Sequence, residues 1–303
     1  MNSTRLLATT AGLIALASVD PSTVRAQQSG AGKQPFTWSG TMRPGTSLTI
    51  RNFNGRIDVR AGTGDRAEVR AERTSSRATN DLTFEARHDG DDVSVCSVWH
   101  GHSACDRDRG WDWGGDHDGR DARASITVTL PRGVALRGGT GNGAVTVAGT
   151  GGDVSIATGN GDVTVSGTSG TVKASSGNGD LQISGATGGV TASTGNGRVR
   201  VATGAGPVRA STGNGDITVE MVADRSADDM SFSTGRGDIS VTVPSGVDAD
   251  FDASTGWGSI RTDFPLRVDG SLNPRHIRGT IGRGGQRIHM STGFGSIELH
   301  KGS

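Results

Sequence analysis

Apolar and polar positions in the middle of this chain alternate in short bursts that recur every eighteen residues. One set of bursts carries Val145/Val147, Val163/Val165, Leu181/Ile183, Val199/Val201 and Ile217/Val219. Nine residues on, a second set carries Val154/Ile156, Val172/Ala174, Val190/Ala192 and Val208/Ala210. The residues between them are mostly Thr, Ser, Gln, Lys or Arg, so period-two alternation puts the apolar set on one face and the polar set on the other. Two three-residue strands per period, joined by Gly-rich turns, predict one coil of a parallel β-solenoid, stacked on the next at ~4.8 Å. A lone coil buries about four Val-sized side chains, too few to offset the ordering of its backbone, so the copies have to stack.

Each copy hinges on Gly-Asn-Gly, with the turn residues Asn142, Asn160, Asn178, Asn196 and Asn214. Glycine suits a turn that visits positive φ, and Asn is the side-chain-bearing residue that best tolerates that region. Identical amides at one corner of every coil also predict a ladder, each bonded to the copies above and below. Arg236, Trp257 and Phe294 take the Asn slot in later, less regular copies, and Asn54 in an early one.

These patterns predict an all-β chain built as an elongated right-handed parallel β-solenoid with eighteen-residue coils. A single solenoid domain is expected over residues 47–303. Its regular coils span 139–220, followed by further coils with insertions at 221–229 and 263–290, and a Cys/Trp/Asp-rich loop is expected at 96–124. Residues 27–46 read as a flexible lead-in segment. Residues 1–26 read as a secretory signal peptide: Arg5, an apolar stretch Leu6–Val19 and small residues before a cleavage point after Ala26. No later stretch has the ~20 apolar residues of a membrane-spanning helix.

Composition sharpens this picture. Fifty glycines among 303 residues exceed twice the usual ~7% share, yet there is no collagen-like three-residue period. Lys+Arg and Asp+Glu are equal at 31 each, so global charge gives no reason to expect nucleic acid as a partner.

The segments "VTLPRGVALRGGTGNGAVTVAG" (128–149), "LTIRNFNGRIDV" (48–59) and "GTIGRGGQRIHMSTGFGSIEL" (279–299) resemble the bacterial putative-adhesin family, a domain of unknown function made of β-strand repeats. The resemblance covers about Ser47 to the C-terminus. It implies an exported or envelope-associated β-solenoid with an adhesive or scaffolding role, and it carries over no catalytic residues.

Candidate chemistry is sparse. Asp162, Asp180, Asp216 and Asp238 follow the turns, but aligned on the calcium β-roll nonapeptide the ligand position falls on Val163, Leu181 or Ile217, so these Asp read as turn residues capping local N–H groups. The outward row Thr146, Thr164, Gln182, Arg200, Thr218 is too interrupted for a flat threonine array. Serine-hydrolase, zinc-protease and phosphate-loop motifs are absent, and His276, His289 and His300 read as isolated surface residues. Cys96 and Cys105, nine apart in an exported chain, predict a disulfide; the alternative is a zinc set of Cys96, His100, His102 and Cys105. Trp111 and Trp113 are candidates either for glycan stacking or for capping the solenoid end. The sequence therefore predicts a non-enzymatic exported protein without cofactor, located in the periplasm or at the cell surface, whose partner is an unidentified envelope ligand, glycan or protein. The alternative is a carbohydrate-active β-helix enzyme or a polysaccharide-binding module.

Overall fold

The computed structural model describes residues 34–74, 82–100, 102–105, 123–204, 206–222, 228–268 and 273–302. Among these residues the chain is all β, with 26 strands and no helix. The strands form two sheets, a 12-stranded sheet I and a 14-stranded sheet II. In the regular region each coil gives one strand to each sheet. Val145–Ala148, Val163–Ser166, Leu181–Ala186, Val199–Thr203 and Ile217–Met221 lie parallel in sheet I, and Val154–Asn160, Val172–Asn178, Val190–Asn196 and Val208–Asn214 lie parallel in sheet II. Register is one period per layer, with Val145 beside Val163 and Asn160 beside Asn178.

The core is the gap between the sheets. Sheet I fills it with Val, Ile and Leu (Val163, Val165, Leu181, Ile183), and sheet II opposes them with one large and one small side chain per coil (Val172 with Ala174, Val190 with Ala192), all buried. The sheet II strands are longer than the three residues expected. Their inward alternation continues through a hydroxyl residue, Thr158, Ser176, Thr194 or Thr212, each at most 7% exposed, and a polar residue at an inward position is invisible to a reading of apolar alternation.

Spatial order departs from chain order at both ends. The pair Ser47–Asn54 and Ile57–Ala61 lies between the first regular coil and the strands Asp92–Trp99 and Ala124–Leu130. At the other end Gln286–Phe294 and Ile297–Lys301 return to sit between Met230–Arg236/Ile239–Val243 and Ala249–Trp257/Ile260–Thr262. A stack growing in simple chain order after residue 221, as the repeat suggested, is therefore corrected. Antiparallel strands cover one end of sheet I (Arg66–Arg73 and Phe36–Thr41) and both ends of sheet II (Leu82–Asp89 and His276–Ile281), while the far edge of sheet I is the short parallel strand Ile260–Thr262. Covering a parallel edge removes a template for further pairing.

Two boundaries also change. Within the expected flexible segment 27–46, Phe36–Thr41 is a strand, and Phe36, Trp38 and Met42 are buried. Phe36 packs against Phe84 with ring centroids 5.7 Å apart, an anchor for which the repeat gave no signal. Cys96, assigned to the loop 96–124, lies inside the strand Asp92–Trp99 and is fully buried.

Candidate functional site

The repeated corner uses every residue of Thr-Gly-Asn-Gly-Asp. The Asn side chains form one continuous ladder: Asn142 Nδ2 donates to Asn54 Oδ1 (2.5 Å), Asn160 to Asn142 (2.7 Å), Asn178 to Asn160 (2.8 Å), Asn196 to Asn178 (2.7 Å) and Asn214 to Asn196 (2.8 Å). None of these Asn takes positive φ; His100 is the one described non-Gly residue that does. The Asn instead ends its strand, and the second glycine makes the bend, as at Gly179 with φ 153°. The first glycine serves close stacking: a Cβ on Gly177 would lie 2.4 Å from the Gly159 carbonyl oxygen of the preceding coil.

The hydroxyl residue two places before the Asn completes the corner. Thr158, Ser176, Thr194 and Thr212 donate to the carbonyls of Gly143, Gly161, Gly179 and Gly197 at 2.9–3.0 Å. The Asp after the turn reaches a neighbouring coil rather than its own N–H groups: Asp162 Oδ1 accepts from Asp180 N and Asp180 Oδ1 from Arg198 N, both at 2.8 Å. That backbone hydrogen bond, with the Arg198 guanidinium 3.0 Å away, holds the Asp180 carboxyl below its ordinary value. The Asn column continues into Arg236, Phe294 and Trp257, where Phe294 and Trp257 are exposed and Arg236 and Arg275 lie over their rings at 5.6 and 5.3 Å.

Cys96 and Cys105 are joined as a disulfide with Cα atoms 5.7 Å apart. Both thiols of the alternative zinc set are consumed by this bond, and His100 and His102 are exposed beside it. Trp111 and Trp113 lie outside the described residues.

The histidines His276, His289 and His300 are not isolated, which corrects the sequence reading. His276 Nε2 lies 3.1 Å from Asp252 Oδ1, and Arg278 Nε and His289 Nδ1 lie 3.3 and 3.8 Å from Asp252 Oδ2. His300 lies 3.3 Å from both Asp263 and Glu298. The Asp252 cluster borders a groove of about 380 Å³ lined by Asp250, Asp252, Arg267, Arg278, Thr280 and Arg287. It is assembled from three strands, two of them out of chain order, so no linear spacing announces it. Ser254 and Ser291 sit beside it with hydroxyls 3.3 Å apart. No hydrogen bond between either serine and a histidine is present among the described residues, so the cluster lacks the nucleophile-to-base link that activates a serine. No group of three or more His, Cys, Asp or Glu side chains among the described residues is arranged to hold a metal ion.

The fold defines the class: a two-sheet parallel β-solenoid whose repeated corner is locked by side-chain ladders. The chain belongs to the Toastrack family of domains of unknown function (DUF4097), whose model matches residues 46–300. Among solved structures, a putative adhesin from Bacteroides fragilis is 13% identical, with a TM-score of 0.47 over 89% of this chain and 99% of that one. A putative adhesin from Parabacteroides merdae is 11% identical, with a TM-score of 0.35 over 89% and 97%. A putative cell adhesion protein from Clostridium sporogenes is 10% identical, with a TM-score of 0.28 over 89% and 100%. No curated protein matches the sequence.

Proposed function

We propose that this Toastrack protein is exported and acts in the periplasm or at the cell surface as a non-enzymatic binding or scaffold surface. The observation that carries the reading is the register of the stack. Each outward position recurs one strand spacing further along, so an extended ligand meets a chemical series at fixed intervals and gains a weak contact per coil. Export is supported by the signal-like residues 1–26 and by a disulfide, a bond that persists in oxidising compartments. No helix among the described residues is long and apolar enough to cross a membrane.

The test is retention of the chain 27–303 by envelope fractions and by a panel of envelope glycans and proteins, with the leader followed by N-terminal sequencing of the exported product. Saturable retention and a new N-terminus at Gln27 are expected; absence of both removes the proposal. The Asp252 cluster supports one rival, a carbohydrate-active β-helix enzyme. Release of reducing ends or unsaturated sugars from polysaccharides, abolished by Asp252→Asn, would favour that rival.

A further inference from the structure

Sheet II carries an unbalanced charge in a protein with no net charge. Its six strands from Ala135 to Arg236 contain Arg137, Lys173, Arg209 and Arg236 and no carboxylate. The sheet I strands of the same coils, from Val145 to Val243, hold one Arg200 and one Glu220. The parallel register sets Arg137, Ser155, Lys173, Thr191, Arg209 and Ser231 in one outward line. Cations and hydroxyls alternate along it, so successive cations stand two strand spacings apart, about 9.6 Å. Arg137, Lys173 and Arg209 are exposed, and none has an ion-pair partner among the described residues.

Beside this line runs a second row of small residues, Gly139, Ala157, Ser175, Ser193, Ser211 and Ser233, of which the first two are buried and the four serines reach the surface. The two rows make a trough with cations on one wall and a low hydroxylated floor. On the other side of the cation line, at its N-terminal end, lies a groove of about 440 Å³ whose lining includes Thr49, Ala135, Arg137, Asp153, Ser155, Thr171 and Lys173. Asp153 is the one acid at that rim: its Oδ1 accepts from Thr171 N at 2.8 Å, and that bond, with a smaller attraction to Lys173, holds its carboxyl below the ordinary value, so its charge offsets part of Lys173 and leaves Arg137 and Arg209 as the stronger anion contacts.

We infer that this trough binds a linear anionic polysaccharide with one carboxylate per disaccharide. The inference rests on the binding-surface reading above and names its ligand. Two strand spacings are close to the length of an extended disaccharide, so each carboxylate meets a cation while the neutral sugar between them meets Ser155, Thr191 or Ser231. Small residues on the floor let the rings approach. A neutral glycan gains nothing from the cation line, and a polymer charged on every sugar leaves half its carboxylates facing hydroxyls. Attraction between exposed charges is screened by salt, so the binding weakens as ionic strength rises.

The experiment uses the purified full chain against hyaluronan, polygalacturonate, dextran and duplex DNA as probes. The decisive variant is the double substitution Lys173→Thr with Thr191→Lys. It keeps the net charge and both residue types but moves one cation by a single coil. Circular dichroism and melting temperature establish that the fold is kept. Tightest binding to hyaluronan, weakened roughly tenfold by the swap and lost at high salt, is the expected result, since three contacts in phase act as one multivalent site. Equal binding by wild type and swap, DNA binding as tight as hyaluronan binding, or no hyaluronan binding would each overturn the inference. If hyaluronan fails while envelope fractions still retain the chain, the ligand assignment falls and the binding-surface reading stands; if neither binds, both fall.

Discussion

Replacing Thr194 by Val tests whether the hydroxyl row, rather than apolar packing alone, locks each coil to the one before it. Thr194 is 5% exposed, and its Oγ1 donates to the Gly179 carbonyl at 3.0 Å. That carbonyl belongs to the bend of the preceding coil, and the Gly197 α-carbon packs so closely over it that an added Cβ would lie 2.1 Å from the oxygen. Val conserves the shape of Thr, so no cavity opens. What is lost is a net ~0.5–1.5 kcal/mol for the bond, rising to about 1–3 kcal/mol where the acceptor stays shielded and unpaired. At roughly 2–4 °C per kcal/mol for a domain of this size, the melting temperature should fall by about 1–12 °C. Thr191→Val on the same strand is the control: Thr191 points outward and is exposed, and such a surface change is expected to stay within about 0.5 kcal/mol. Calorimetry and urea titration of both variants read the difference. Equal effects from Thr194→Val and Thr191→Val would refute the claim that the buried hydroxyl holds the corner.

Three further outcomes are expected. Deleting residues 160–177 removes one period and brings Asn178 beside Asn142, so the shortened protein should keep its β-sheet signal, whereas a nine-residue deletion should lose it; equal losses would contradict the eighteen-residue coil. Gly177→Ala drives a Cβ to 2.4 Å from backbone oxygen and should cost about 1–3 kcal/mol by overpacking, while Gly246→Ala, with nothing within 4 Å, should be near neutral in the same melt. Asp180 and Asp153 are held below their ordinary values chiefly by backbone N–H donors. Their contribution is therefore present above the unfolded carboxylate pKa of ~3.9 and lost as pH falls through the lower folded values. Melting temperature should decline on acidification below about pH 4, and less steeply in Asp180→Asn; identical slopes would remove Asp180 from the account.

The eighteen-residue alternation by itself determined the all-β class, the parallel register and the Asn column, because stacking places identical residues at one height and local period-two patterning decides which face is buried. It did not reveal that the Asn ends a strand and leaves positive φ to the following glycine, or that the hydroxyl two places earlier points inward. Both depend on the preceding coil, whose carbonyls receive the hydroxyls and crowd the first glycine. Nor could the repeat show where the chain leaves its own order. Residues 47–61 and 286–301 insert between other strands because parallel edges, once formed, accept whichever strand completes their ladder and core, and that competition is settled only among elements distant in sequence. The Asp252 cluster is the clearest consequence. Asp252, His276 and His289 come from three strands, and only an antiparallel end strand and an inserted coil set them side by side. The line of Arg137, Lys173 and Arg209 stands between the two cases: its members were in plain view at twice the repeat, but their lack of ion-pair partners belongs to the folded sheet.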